Sequence, residues 1–317
     1  MNNDANYPTV SHVNRINVRF ASCSRAIGRS HRACLAESAS GHIWTRPRAR
    51  ERRSSVWGMT LDGAALLDTL ADTCWHTIEV VESTGSTNAD LIARAATEEL
   101  GGTVRITTDQ TSGRGRHTRV WSAPAGGQLA MSSAVAVGAD PEHLGWLSLI
   151  AGLAVTRAVE AVVGERPTLK WPNDVLIDDR KIAGILSEYT HTPTGGVAVI
   201  GVGLNTVMTE EQLPVPTATS LLIVTGDEVP PEDLARQFLR ALSELLTLWP
   251  TDIDQLAAMY RERSDTLGRR VRLVLPGDKE LVGTAVGIDR TGRIVIDVDG
   301  REVVAAAGDV THLRPID

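Results

Sequence analysis

Three arginines and two glycines stand within seven residues of this chain, at Gly113, Arg114, Gly115, Arg116 and Arg119, with Gln110 before them and Trp121 just after. Such a run makes a poor helix, and glycine lets a backbone come close to an anion. The chemistry it suggests is anion binding in a loop. Taken alone, Gly-Arg-Gly-Arg suits a solvated surface loop or an arginine-glycine nucleic-acid contact equally well. The phosphate loop Gly-x-x-x-x-Gly-Lys-Ser/Thr is absent.

Two further segments carry candidate chemistry. Lys170, Trp171, Pro172, Asn173 and Asp174 run together and are followed at strand spacing by Arg180, Lys181, Ile182, Ala183 and Gly184. Lys181 opens an apolar run, so it can project one positive charge from the edge of a buried sheet. Gly184 inside that run permits close approach of a ligand or another backbone. An ordinary turn lysine and a packing glycine would read the same way. The third segment is Gly201, Val202, Gly203, Leu204 and Asn205, which by itself is a loop after a buried strand.

The elements that must position these residues follow from periodicity. Leu61, Ala64, Ala65, Leu67 and Leu70 predict a short helix, and 78–81 a strand ending at Glu82, Ser83, Thr84 and Gly85. Thr87 with Asp90 three residues on reads as the start of a second helix. Alternation predicts a strand over 103–107, and further strands are expected at 128–137, 174–178, 182–190 and 197–202. Leu147, Ile150, Ala154, Ala158 and Ala161 mark a long helix with a buried face. Pro230 and Pro231 precede another, with Leu234, Phe238, Ala241, Leu245 and Trp249 on one side and Pro250 as its stop. After Gly268 only short strands follow, with turns at Pro276-Gly277 and Asp299-Gly300.

Length and charge bound the functions available. At 317 residues the chain has room for about two domains. Its longest apolar stretch, 145–164, is broken by Arg157 and Glu160, short of the ~20 clean apolar residues of a membrane span. Three cysteines without a CxxC pair support neither a disulfide framework nor a cysteine zinc site, and a reducing cytoplasm fits best. The net charge of -7 hides a split: ten arginines and three acids fall in residues 1–58, which leaves 22 basic and 36 acidic residues in 59–317. An acidic body is a poor general binder of nucleic acid, since phosphate neutralisation needs clustered cations. Residues 1–58 lack apolar periodicity and read as a disordered basic tail. Because Met59 opens the first folded-looking segment, that tail is also explained by an upstream start codon.

Together these segments resemble the biotin protein ligases. Ser86-Thr87-Asn88, the 110–116 run with Trp121, the 170–174 motif, 180–186 and 201–205 occur in that family's order and approximate spacing, and the resemblance spans roughly residues 75–317. It implies an α+β fold: a mixed β-sheet with flanking helices over 59–267, followed by a small SH3-like β-barrel over 268–317. Residues 1–58 lack two periodic helices around a tight turn, so the chain is similar to the monofunctional form without an N-terminal DNA-binding domain.

The resemblance implies a cytoplasmic, ATP- and Mg²⁺-dependent enzyme that joins biotin to one lysine of a biotin carboxyl carrier domain through biotinyl-5′-AMP. By position, Ser86, Thr87, Asn88, Gln110, Arg114, Gly115, Arg116 and Lys181 are expected on the biotin side. Lys181 and Arg116 are the expected catalytic residues, with Lys181 at the carboxylate and α-phosphate. Arg119, Trp121, Asn173 and Asn205 are expected on the nucleotide side, and no side chain is assigned as a metal ligand. Neither a membrane nor a nucleic acid is expected as partner. One rival is a lipoate or octanoate ligase or transferase of the same fold, whose acyl site should favour an apolar channel over amide-recognising groups. A rival of another class is a nucleic-acid-binding regulator acting through the arginine-rich tail.

Overall fold

The computed structural model describes residues 61–116, 119–137, 142–192, 195–275, 279–306 and 308–312. The 1–58 tail, His117 and the Pro276-Gly277 turn lie outside them. In chain order the helices are α1 (Gly63–Asp68), α2 (Thr87–Arg94), α3 (Gly145–Val163), α4 (Leu221–Thr225), α5 (Pro231–Leu246) and α6 (Ile253–Arg263). The first nine strands are β1 (Thr77–Val80), β2 (Thr103–Thr107), β3 (Gly113–Arg114), β4 (Val120–Trp121), β5 (Gln128–Val137), β6 (Thr168–Lys170), β7 (Asp174–Ile177), β8 (Arg180–Thr192) and β9 (Gly195–Asn205). The last five are β10 (Arg270–Leu275), β11 (Lys279–Ile288), β12 (Ile294–Val298), β13 (Arg301–Ala305) and β14 (Asp309–His312).

Seven strands form the central sheet in the order β1-β2-β5-β9-β8-β7-β6. The β1–β2 pair is parallel and every other neighbour antiparallel, which makes the sheet mixed. Successive side chains of a strand point to opposite faces, and the two faces are covered differently. On one, Ala198, Ile200, Val202 and Leu204 of β9 join the main core with α3 and α5. On the other, Val197 and Val199 pack with Leu91 and Ala95 of the α2 segment.

Helix α3 has the length and composition of a membrane span, but 67% of its apolar window is buried inside the protein. The two charges that interrupt it are paired across helices: Arg157 lies 3.7 Å from Glu244 of α5, and Glu160 lies 2.5 Å from Arg263 of α6. Helix α5 starts with Pro at its first position and Glu232 and Asp233 in its first turn, where prolines and acids are favoured. Its Leu234, Phe238, Ala241 and Leu245 are buried, each worth roughly 1.5–3 kcal/mol for the larger side chains.

Two local expectations are corrected. The cap of α2 is Ser86, whose Oγ accepts from Ala89 N, because the Thr87 hydroxyl is drawn sideways to Gln110 and Ser132. Residues 201–205 are the end of β9 rather than a loop: they pair with β5 on one side and β8 on the other, which satisfies the backbone despite two glycines.

The chain ends in a five-stranded antiparallel sheet of order β13-β12-β11-β10-β14, with Val271, Leu273, Ala285, Ile294, Ile296 and Ala305 in its interior. Asp299 and Gly300 both take positive φ, as the tight hairpin turn requires. Indole N–H groups dock this domain on the first. Trp146 Nε1 donates to Arg290 O at 3.0 Å and Trp171 Nε1 to Gly292 O at 3.2 Å, while Trp171 N donates to Thr266 Oγ1 at 3.1 Å.

Candidate active site

The register of the central sheet builds a floor of small residues on the α2 side. Ala130 of β5 faces Gly203 of β9, Gly203 faces Gly184 of β8, Gly184 faces Asp174 of β7, and Asp174 faces Lys170 of β6. One row along, Ser132 faces Gly201, which faces Leu186. A Cβ on Gly203 would run into the Trp121 ring, and one on Gly201 into the Asn88 amide. Glycine is therefore needed here for close approach, and its cost in the strand is offset by what lies on it.

At one end of the floor the start of α2 supplies a polar cluster. Gln110 Oε1 accepts from Thr87 N at 3.0 Å and lies 3.2 Å from Thr87 Oγ1. Ser132 Oγ stands 2.7 Å from Thr87 Oγ1 and 2.6 Å from Asn88 Oδ1. Asn88 Nδ2 donates to Leu186 O at 3.0 Å and to Glu188 Oε2 at 2.9 Å. These groups are buried and paired with one another, so their positions are fixed before any ligand arrives.

At the other end lie the cations. Val175 pairs with Ala183 and Leu176 with Lys181, so Ile182 is an extra residue in β8. This bulge reverses the alternation and turns Lys181 onto the same face as Gly184, where its Nζ and Cε would meet a Gly184 Cβ. Lys181 Nζ lies 2.5 Å from Asp174 Oδ1 and 5.6 Å from the centre of the Trp121 ring. Below Asp174, Tyr260 is buried, and burial first, then the Asp174 charge, hold its phenol protonated well above the ordinary value.

The short hairpin β3–β4 crosses over the floor. Trp121 lies on Gly203 and Gly184 and donates its Nε1 to Gln128 Oε1 at 2.7 Å. Arg114 Nη2 reaches Glu188 Oε2 at 2.6 Å. Arg116 Nη1 donates at 3.3 Å to both Asn173 Oδ1 and Gly308 O, joining the hairpin to the 170–174 turn and to the C-terminal domain.

The resulting cleft has a volume of about 200 Å³. Arg116, Arg119, Lys170 and Lys181 line it, against the Asp174 carboxylate, as does Arg114, whose charge Glu188 matches. In an acidic body this is a local field suited to a polyanion. No group of three His, Cys, Asp or Glu side chains converges among the described residues.

The structure brings Ser86, Thr87, Asn88, Gln110, Arg114, Gly115, Arg116, Arg119, Trp121, Asn173 and Lys181 to this one cleft. Asn205 stands apart. It is 3% exposed, and its Nδ2 donates to Thr219 O at 2.9 Å and Lys181 O at 3.4 Å, which braces the bulge that aims Lys181. Asn173 Nδ2 likewise donates to Ile185 O at 3.0 Å, while its Oδ1 takes Arg116. Sequence reasoning passed over Ser132, Gln128 and Glu188. The polar residues Gln128 and Ser132, which with Ser133 interrupt an apolar strand, were the available signal; nothing local marked Glu188.

Comparison with known proteins adds the ancestry of this arrangement. Residues 78–205 match the Biotin/lipoate A/B protein ligase family and residues 266–313 the Biotin protein ligase C terminal domain. The biotin–[acetyl-CoA-carboxylase] ligase of Mycobacterium tuberculosis is 47% identical over 262 residues, covering 80% of this chain and 96% of that one. The chain belongs to the biotin protein ligase family. Among solved biotin protein ligases, that of Aquifex aeolicus in complex with biotin and ATP shares the fold at a TM-score of 0.64 and 24% identity, over 75% of this chain and all of that one. The Leishmania major biotin protein ligase in complex with biotinyl-5-AMP is 26% identical with a TM-score of 0.51, over 75% of this chain and 98% of the other. Both family regions fall on the two parts that form the cleft: the sheet with its hairpin, and the β-domain that receives Arg116.

Proposed function

We infer that this chain activates biotin with ATP and transfers it to a lysine of the biotin carboxyl carrier domain of a carboxylase. The observation that carries the reading is the floor itself: a glycine-lined strip with hydrogen-bonding groups of no net charge at one end, where Glu188 matches Arg114, and an excess of cations at the other. Biotin has that polarity. Its ureido ring is neutral and polar, its chain apolar, and its carboxylate anionic.

In the first step a carboxylate oxygen attacks the α-phosphate of ATP, a new P–O bond forms, the bond to the leaving pyrophosphate breaks, and biotinyl-5′-AMP results. In the second, the neutral amine of the carrier lysine attacks the acyl carbon, AMP leaves, and the amine proton is lost to solvent. Bringing a carboxylate to a polyphosphate is opposed by charge, so fixed cations that stabilise charge building in the transition state are the main requirement. Lys181 meets it at the carboxylate and α-phosphate, leaving Asp174 as it does so, and Arg116 holds the adenylate from above. Ser86, Thr87, Asn88, Gln110, Arg114 and Gly115 enclose the biotin ring, where buried ureido groups left unpaired would cost roughly 1–3 kcal/mol each. Trp121 and Arg119 serve the nucleotide, with Asn173 and Asn205 acting through Arg116 and Lys181.

Mg²⁺ would accompany ATP, an ion that takes one or two protein carboxylates at most. Asp174 is the cleft carboxylate able to share it, and the ion supplies charge neutralisation at the leaving pyrophosphate. The presence of the biotin ligase C-terminal region favours biotin over lipoate as the acyl group. Incubating a purified carrier domain with the chain, ATP, Mg²⁺ and either biotin or lipoate, then weighing the carrier, tests the reading. Addition of one biotinyl group on one lysine is expected; lipoylation instead, or no ATP-dependent gain, overturns it.

A further inference from the structure

We propose that Glu188 is a positioning residue for the biotin side of the cleft. One carboxylate oxygen ties the Arg114 arm of the hairpin and the Asn88 amide of α2 to the sheet floor. Oε2 of Glu188 accepts from Arg114 Nη2 at 2.6 Å and from Asn88 Nδ2 at 2.9 Å. Three separate pieces of chain, β3, α2 and β8, meet at that atom. Glu188 reaches them because it shares a face of β8 with Gly184 and Leu186, four and two residues before it, and so stands at the far end of the floor from Lys181.

The geometry explains two features that the functional reading leaves open. Arg114 lines the cleft, yet its charge is already matched by Glu188, so it serves to hold the hairpin down more than to attract the nucleotide. Asn88 lies flat across Gly201 with both amide hydrogens in use, one on Leu186 O and one on Glu188, and this orientation presents Oδ1 to Ser132. Without the carboxylate, one amide hydrogen of a buried Asn88 has no acceptor, and the guanidinium at the hairpin's edge has no anchor. Charge-assisted hydrogen bonds are the stronger kind, and two on one oxygen couple the pieces they join. Glu188 touches no reacting atom in this account. It acts on how well the pocket is preformed for biotin and leaves the chemistry at Lys181 as it is.

The inference rests on the proposed biotin side of the cleft, and its test separates the two. Steady-state biotin transfer to a carrier domain is measured for the wild type, Glu188→Ala, Glu188→Gln, Arg114→Ala and the double variant Arg114→Ala/Glu188→Ala, with thermal melting of each. Glu188→Ala is expected to raise the KM for biotin by about 10–100-fold, the range of a lost hydrogen bond to a charged group, with kcat and the KM for ATP within a few-fold of wild type. Glu188→Gln keeps an acceptor for Asn88 and should recover part of the loss. The double variant should fall less than the two single effects multiplied together, since both act through one atom. Equal KM for biotin in Glu188→Ala and wild type, or fully multiplicative effects, overturns the proposal. If Glu188→Ala melts early, Glu188→Gln decides: a KM for biotin raised several-fold supports the assignment, and one equal to wild type ends it. Failure of the wild type itself to transfer biotin would instead count against the functional reading.

Discussion

The two faces of the central sheet are made by the same strands and carry opposite chemistry. In β9, Ala198, Ile200, Val202 and Leu204 enter an apolar core beneath α3, while Val197, Val199, Gly201 and Gly203 alternate with them on the other side. Along that second side the residues shrink from valine to glycine at the point where α2 ends its cover and the hairpin begins. A large side chain on the first face adds stability; on the second it would displace Trp121 or Asn88. The lesson is that binding here is arranged by what the strands omit, with stability supplied from behind.

That contrast can be broken from either side. The largest effect is expected on the core face: Ile150 of α3 is fully buried, and Ile150→Ala should cost about 2–5 kcal/mol through lost transfer energy and the cavity left. Denaturant unfolding measures it, and the folded fraction should still bind biotin. On the cleft face, Lys181→Ala should lower adenylate formation by on the order of 10²–10³, the range for loss of one transition-state donor, with little change in melting. Pyrophosphate release at the wild-type rate by a folded Lys181→Ala protein would remove that lysine from its role.

A smaller effect sharpens the comparison at the hairpin. Arg116→Gly deletes the guanidinium that links the hairpin to Asn173 and Gly308, so adenylate should still form and escape about tenfold faster, the scale of one or two hydrogen bonds. Biotin labelling of a bystander protein reads this directly. Labelling no greater than with the wild type, at equal adenylate formation, would show that Arg116 does not retain the intermediate.

How much of this was legible in sequence depended on whether a residue acts through local pattern or through distant pairing. The strand over 103–107 followed from alternation and coincides with β2, the expected strand 128–137 coincides with β5, and the long helix followed from apolar steps of three and four. The glycines at 201 and 203 looked like a loop because propensity argues against glycine in a strand, whereas pairing on both edges overrides it. Lys181 was singled out for its position before an apolar run, yet the bulge at Ile182 that aims it into the cleft leaves no mark in composition. Glu188 resembles any exposed strand glutamate until Asn88 and Arg114, 100 and 74 residues away, are brought to it by the fold. Trp171 sits in a motif that reads as a site and turns out to face two ways: its neighbours Lys170 and Asp174 line the cleft, while its ring docks the C-terminal domain.

The smallest effect lies at that docking junction, where a histidine takes the place of the arginines. His312 of β14 is half-buried, with Nε2 3.2 Å from Thr266 Oγ1 and Nδ1 3.2 Å from Asp265 Oδ2. Burial lowers its pKa below the ordinary 6.5; Asp265 and Asp179 oppose the shift, and Lys170 and Arg269 add to it. Well above pH 6.5 the ring is neutral in folded and unfolded chain alike, so there it contributes no pH dependence. Below that value the unfolded chain takes up a proton that the folded chain still refuses, so stability falls as the pH drops, until the folded ring also titrates. The difference in melting temperature between wild type and His312→Gln should therefore be flat from pH 8 to 7 and shift against the wild type between about pH 6.5 and 5. Because Asp265 Oδ2 has no hydrogen-bond partner beyond this ring, the slope should remain shallow: once protonated, His312 gains the carboxylate it faces. A difference that stays constant from pH 8 to 5 would mean that His312 titrates alike folded and unfolded, and that the junction is held by Trp146 and Trp171 without a pH-dependent part.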